Sequence, residues 1–169
     1  MGVVISIIVV IVLVAAVVSK SMYDFKLKND AKISFKHTFK KTGTPIVTLK
    51  DRNGRSFNFL VDTGSNASHL KLGIVEVAAD AERVIPLGSD GKAIENAKVT
   101  TANGEVDAHG YYRLTLFHND KMFIEVFEVM DLTSALSGWG VEIHGILGSV
   151  FLEKYKYVLD FGDKTMFIK

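Results

Sequence analysis

Phe59-Leu60-Val61-Asp62-Thr63-Gly64-Ser65 ends an apolar run on a carboxylate and a turn. A run that is apolar at every position reads as a strand buried on both faces. Such a strand has no reason to end in a carboxylate unless that group is paired, caps a turn or carries chemistry. The bland reading is a turn cap, since an Asp after a strand commonly accepts its own turn's amide protons. The chemical reading is an acid/base pair: two carboxylates held about 3 Å apart cannot both ionise and so share one proton. The chain has only one Asp-Thr/Ser-Gly. Asp90-Gly91 lacks the middle residue, and Asp160-Phe161-Gly162 sits in an expected hairpin with no matching surroundings.

Outward from this stretch the signals are those of β structure. Ile46-Val47-Thr48-Leu49 and Ser56-Phe57-Asn58-Phe59-Leu60-Val61 flank Asp51-Arg52-Asn53-Gly54, whose Asn-Gly favours a hairpin. Tyr112-Arg113-Leu114-Thr115-Leu116 and Met122-Phe123-Ile124-Glu125-Val126-Phe127 flank His118-Asn119-Asp120 as a second hairpin. Residues 100–105 form a third turn. Residues 149–156 read as a short helix opened by a Ser149 cap after Gly148. Residues 157–161 and 165–168 close the chain as a hairpin, and a first strand is expected around 33–39. Short strands at close spacing with many turns predict a small all-β barrel.

At 169 residues the chain accommodates one domain and an accessory segment. Lys+Arg total 20 against 19 Asp+Glu, so no whole-chain field points to nucleic acid. There is no cysteine, which excludes disulfides, thiolate metal sites and cysteine nucleophiles. The five histidines show no i, i+4 pairing, so no metal site is expected.

Residues 2–18 are rich in Val and Ile with Ser6 as the polar interruption. As a helix they would span about 25 Å, at the short end of what crosses a bilayer. No basic residue precedes them, which favours an uncleaved anchor over a signal peptide. Lys20, Lys26, Lys28, Lys32 and Lys36 follow the run. The expected organisation is therefore a transmembrane anchor at 1–19, a basic juxtamembrane linker at 20–40 and a domain at 41–169. The expected placement is that of a single-pass membrane protein with the domain on the cytoplasmic side, the alternative being a periplasmic or secreted protein after cleavage.

Residues 59–70 resemble the active-site signature of the aspartic proteases. Ile143-His144-Gly145-Ile146-Leu147-Gly148, followed by Ser149-Val150-Phe151-Leu152, resembles the segment and helix that support the active-site loop in retropepsin-like members. Residues 99–106 fall where that family places its flap, with Thr101, Ala102, Asn103 and Gly104 at the tip. The resemblance covers about residues 40–169. It implies a closed, retropepsin-like β-barrel with one short C-terminal helix and a peptide bond as substrate. Asp62 is then the catalytic residue, Thr63, Gly64 and Ser65 hold its carboxylate, and Gly145, Ile146, Leu147 and Gly148 support it. No cofactor is implied. One motif in a chain too short for two lobes implies a homodimer with Asp62 contributed by each subunit, closed by a strand from residues 165–169.

Ser65 departs from the Ala usual in retroviral members and matches the pepsin type; a hydroxyl donating to the ionised carboxylate would move the activity optimum toward acid. The alternative function is a catalytically idle domain of the same fold that dimerises or binds peptide. Lys41-Thr42-Gly43-Thr44-Pro45 resembles an ion-pump phosphorylation motif, but Lys40 stands where its Asp nucleophile belongs, so it reads as a turn. Gly138-Trp139-Gly140 lacks dinucleotide-site spacing. His144, Leu136 and Trp139 are expected to pack.

Overall fold

The computed structural model describes residues 13–22, 31–87, 92–94, 98–101 and 104–168. The strands are β1 (Ile33–Ser34), β2 (Ile46–Lys50), β3 (Ser56–Val61), β4 (His69–Lys71), β5 (Glu82–Val84) and β6 (Lys98–Thr101). They continue with β7 (Gly104–Asp107), β8 (Tyr111–His118), β9 (Lys121–Met130), β10 (Gly145–Leu147), β11 (Tyr157–Asp160) and β12 (Thr165–Ile168). Helix α1 covers Lys36–Thr42, helix α2 covers Ser149–Lys154, and a 3-10 turn covers Ile74–Glu76.

The strands close into a barrel. The order β2-β3-β10-β4-β9-β8 returns to β2 through Lys50 opposite Phe117, and β5 lies on the same edge of β8. Two of these pairings are parallel, β10 with β3 and β4 with β9, and neither is reachable by a hairpin. The expected hairpins β2–β3 and β8–β9 are present, the second with eight residue pairs in register. The Asp51 turn is built as its residues suggest. Asp51, 3% exposed, accepts the Asn53 and Arg55 amides at 3.0 and 2.8 Å through Oδ1 and the Ala79 amide at 2.9 Å through Oδ2. Asp160 likewise caps its own turn, taking the Gly162 and Asp163 amides.

The barrel is filled by Val47, Leu49, Phe57, Phe59, Val61, Leu70, Leu114, Leu116, Phe123 and Phe127. An aromatic group of Phe123, Phe151, Tyr155 and Tyr157 ties α2 and β11 to it, with Phe151 and Tyr155 rings 4.8 Å apart. A second apolar cluster of Ile46, Met130, Leu132, Leu136 and Ile143 lies against Leu60, Ile146 and Trp139. The last three residues of β3, Phe59–Val61, are all apolar because Phe59 and Val61 face the barrel while Leu60 faces this cluster.

The N-terminal half differs from expectation in three ways. Residues 33–39 do not make one strand: β1 is two residues long and α1 comes next. Phe35 and Phe39 sit four apart on one helical face with ring centroids 6.0 Å apart, and Phe161 closes a three-ring contact. Gly43, at φ 73°, ends α1, so the Lys41–Pro45 stretch is a helix terminus.

Second, the expected linker at 20–40 stops short. Ala31, Ile33 and Phe35 are buried, Tyr157 Oη donates to the Ala31 carbonyl at 2.8 Å, and the Phe35 amide donates to Lys164 O. Residues 23–30 of that linker lie outside the described residues.

Third, the single-pass membrane placement is overturned. Among the described residues no helix is long and apolar enough to cross a membrane. Residues 1–12 of the expected anchor lie outside the described residues.

Candidate active site

Strand β3 delivers Asp62 to the point where two loops cross. The parallel register of β3 with β10 sets Phe59, Leu60 and Val61 beside Gly145, Ile146 and Leu147, and the Asp62 amide donates to Leu147 O at 3.0 Å. The Gly64 amide donates to Asp62 Oδ1 at 2.8 Å, and the Ser65 amide to Asp62 O at 3.3 Å. Asp62 is half-buried, and its Oδ2 accepts no hydrogen bond among the described residues. One oxygen is therefore held by the turn while the other stays open to water or to a second carboxylate.

Gly145 and Gly148 are required by space. Gly148 has φ −83° and ψ −178°, which any residue adopts. A Cβ there would stand 2.2 Å from Ala67 O and 2.8 Å from Ser65 O, and one at Gly145 would stand 2.5 Å from His69 O. The supporting segment thus crosses directly against the backbone of the Asp62 loop. Helix α2 begins on that loop as well. Gly148 is its N-cap and makes no side-chain cap, and the Ser149 amide donates to Ser65 O at 2.7 Å. The expected Ser149 cap is replaced by a loop carbonyl, which satisfies one of the donors that a helix start leaves open.

Of the expected supports, Gly64 holds the carboxylate through its amide. Thr63 is exposed, and its hydroxyl makes no hydrogen bond among the described residues. Ser65 does not donate to Asp62. Its hydroxyl lies 2.8 Å from Ala67 O, which accepts from it, and 3.0 Å from His69 Nε2. The donor on which the acid-shifted optimum rested is committed elsewhere.

The hairpin β6–β7 pairs Lys98–Thr101 with Gly104–Asp107. Val99 and Val106 pack on the second cluster, as do Leu60 of β3 and Ile146 of β10. Thr101 and Gly104 end its strands, while Ala102 and Asn103 lie outside the described residues. Leu136 is buried in the same cluster, and Trp139 Nε1 donates to Ala135 O at 3.2 Å, so both pack the loop.

Buried polar residues behind the loop carry most of what the sequence left unread. Glu125, 3% exposed, points inward from β9 between Phe123 and Phe127. It accepts from Ser68 Oγ at 3.0 Å and from Lys154 Nζ at 3.0 Å; the Gly148 amide in turn donates to Ser68 Oγ at 3.4 Å. Burial is the largest influence on Lys154 and pulls its ammonium pKa down, but the Glu125 hydrogen bond and charge, with help from Tyr155, leave it raised. His69, 7% exposed on β4, stands with Nδ1 3.2 Å from Glu128 Oε2 but without hydrogen-bond alignment. Tyr111 is raised by burial and then by the Glu128 carboxylate.

His144 packs edge-on to Phe57 and accepts the Asn58 amide at Nδ1, 2.9 Å away. Burial pushes its pKa down, partly opposed by Glu142. Exposed Asp131 is lowered by the Thr133 hydroxyl and amide. Among the described residues no group of three or more His, Cys, Asp or Glu side chains is placed to hold a metal ion.

A signal for Glu125 was present in the sequence, because an acidic residue in the inward phase of Phe123-x-Glu125-x-Phe127 needs a buried partner. Nothing in the spacing marked His69 or Glu128, which meet through the parallel pairing of β4 with β9.

No protein-family model matches the chain, and no curated protein matches it. Among solved structures it is similar to EIAV protease complexed with the inhibitor HBY-793, at 18% identity and a TM-score of 0.46, over 66% of this chain and 86% of that one.

Proposed function

We propose that this chain is a retropepsin-like aspartic endopeptidase that acts as a homodimer. The observation that carries the reading is Asp62 itself: one carboxylate at the end of a buried strand, one oxygen held by the Gly64 amide and the other left open, with no second copy of its motif in the chain. A symmetric partner supplies the second Asp62. The two carboxylates share one proton; the ionised one draws a proton from water as it attacks, and the protonated one donates to the scissile carbonyl. No covalent intermediate forms. The open Oδ2 faces the chemistry, and the β6–β7 hairpin, based on Val99 and Val106, covers an extended peptide bound by strand-like hydrogen bonds.

Closure of the dimer by residues 165–169 needs a narrower form. Within the chain β12 is the central strand between β1 and β11, and β1 occupies its edge at Thr165 and Met166. Among the described residues the edges of this three-stranded sheet left for a partner are that of β12 at Phe167 and Ile168, the outer edge of β11 and the outer edge of the two-residue β1.

The test is cleavage of a peptide library by the full chain across protein concentration, with Asp62→Asn beside it. A rate per subunit that rises with concentration and is lost in Asp62→Asn supports the proposal. Cleavage retained by the Asn variant refutes it, and peptide binding without cleavage by the native chain assigns it to the idle binding module.

A further inference from the structure

The polar contacts behind the Asp62 loop are one proton short of a unique arrangement. Ser65 Oγ carries a single proton and has two acceptors in reach, Ala67 O at 2.8 Å and His69 Nε2 at 3.0 Å. Ala67 O accepts no other hydrogen bond among the described residues, and it lies against Gly148 at the loop crossing. On the far side of the ring, Nδ1 stands 3.2 Å from Glu128 Oε2 while buried without an aligned partner. With both ring nitrogens protonated, the Ser65 hydroxyl has one role and the ring's charge stands beside the Glu128 carboxylate. Nε2–H donates to Ser65, Ser65 donates to Ala67, and Nδ1–H faces the Glu128 carboxylate.

A neutral ring cannot keep both. If Nδ1 keeps the proton, Nε2 becomes an acceptor, Ser65 turns its hydroxyl proton to the ring, and the Ala67 carbonyl loses its donor. If Nε2 keeps the proton, the bare Nδ1 lone pair faces a carboxylate at 3.2 Å. The first outcome is favoured, because it costs one hydrogen bond rather than setting a lone pair against a charge.

We propose that His69 is a positioning residue for Asp62, its protonation state selecting whether the Ser65 hydroxyl braces the Ala67 carbonyl or lets it go. The link is short. Ser65 also donates its amide to Asp62 O, and its own carbonyl accepts the first amide of α2. The groups that face the ring are Glu128 from β9 with Tyr111 of β8 against that carboxylate, and Ser65 from the loop. Strand β10 contributes Gly145 and Ile146 opposite β4 and no charge. The role deepens the protease reading, on which its catalytic consequence rests; the structural coupling stands apart from it.

The experiment uses the full chain, isotopically labelled, titrated across the pH range in which it stays folded. The ring nitrogens of His69 and the backbone amides of Gly64, Ser65 and Ala67 are followed by NMR. The proposal expects one shared midpoint for ring and amides. It expects the amide shifts to vanish in His69→Gln, and in Ser65→Ala the ring to titrate while the Gly64 and Ala67 amides stay still. In cleavage, His69→Gln removes a limb of the kcat profile worth up to about tenfold, the size of one hydrogen bond, with KM unchanged. Loop amides that titrate alike with and without His69, or a ring that titrates while the wild-type loop amides do not move, overturn it. If His69→Gln unfolds, Ser65→Ala alone decides, since the ring signal is then read in a chain that keeps its histidine. Coupled titration in a chain that cleaves nothing rejects the protease reading and leaves the positioning role intact.

Discussion

Replacing Gly148 by alanine adds one methyl group where the backbone closes in more tightly than at any other described glycine. The new Cβ would stand 2.2 Å from Ala67 O, 2.7 Å from Ala67 C and 2.8 Å from Ser65 O, all backbone atoms that no rotamer change can move. Real Cβ atoms essentially never come within 3.0 Å of such neighbours. The crossing must therefore open by about 0.8 Å, the gap between 2.2 and 3.0 Å. Overpacking of this kind costs about 1–3 kcal/mol, and the Gly148 amide bond to Ser68 Oγ is stretched with it. For a chain of this size each kcal/mol lowers Tm by about 2–4 °C. The same opening carries the Ser65 carbonyl, and with it the Asp62 turn, out of place. A reacting group misplaced by about 1 Å loses roughly a hundredfold in rate. The assay is urea denaturation together with kcat/KM on a peptide substrate. Ser149→Ala is the control, because its side chain makes no cap bond. A Gly148→Ala chain within about 0.5 kcal/mol of native stability would refute the claim that space, rather than conformation, demands glycine there.

Asp62→Asn keeps the Oδ1 acceptor for the Gly64 amide, so denaturation midpoints are expected to stay within about 0.5 kcal/mol while cleavage disappears; a large loss of stability would mean that the carboxylate serves the fold. Lys154→Met leaves the Glu125 carboxylate, 3% exposed, with Ser68 as its remaining donor among the described residues. Because the lysine side chain is 46% exposed and water reaches the pair, the expected cost is about 1–3 kcal/mol, below the roughly 3–5 kcal/mol of a fully buried pair. Denaturation of Lys154→Met at neutral pH checks it, and a neutral result would show that water replaces the ammonium outright. For His144 the folded pKa is depressed from 6.5 by burial. Its contribution is fully present above 6.5 and is lost as pH falls through the lower folded value, since the unfolded chain binds the proton first. His144→Asn keeps an acceptor for the Asn58 amide, and urea midpoints are expected to flatten over that window; an unchanged slope would place the titrating group elsewhere.

The N-terminal half shows why part of the fold escaped a linear reading. Phe35 and Phe39 have helical spacing, but a single turn of apolar period among lysines is too short to outweigh the β character of residues 46–61 just downstream. The Ser149 cap failed for a different reason. A Ser after Gly ahead of an apolar run is a sound helix-start pattern, but the loop carbonyl of Ser65 reached the Ser149 amide instead. Both outcomes were decided by tertiary contacts that weigh more than local preference.

The sequence alone was enough for the hairpins, the Asn53-Gly54 turn, the apolar run that ends in Asp62 and the solitude of its motif. These depend on neighbours a few positions apart, where period and turn residues act directly. Tertiary structure decided the rest. The crossing of β10 against the Asp62 loop joins residues 80 positions apart, as the Gly148 amide on Ser68 Oγ shows. The same pairing of distant strands brought Glu125 to Ser68 and Glu128 to His69. Buried polar groups must find partners wherever the chain brings them, and only closure of the barrel brought these together.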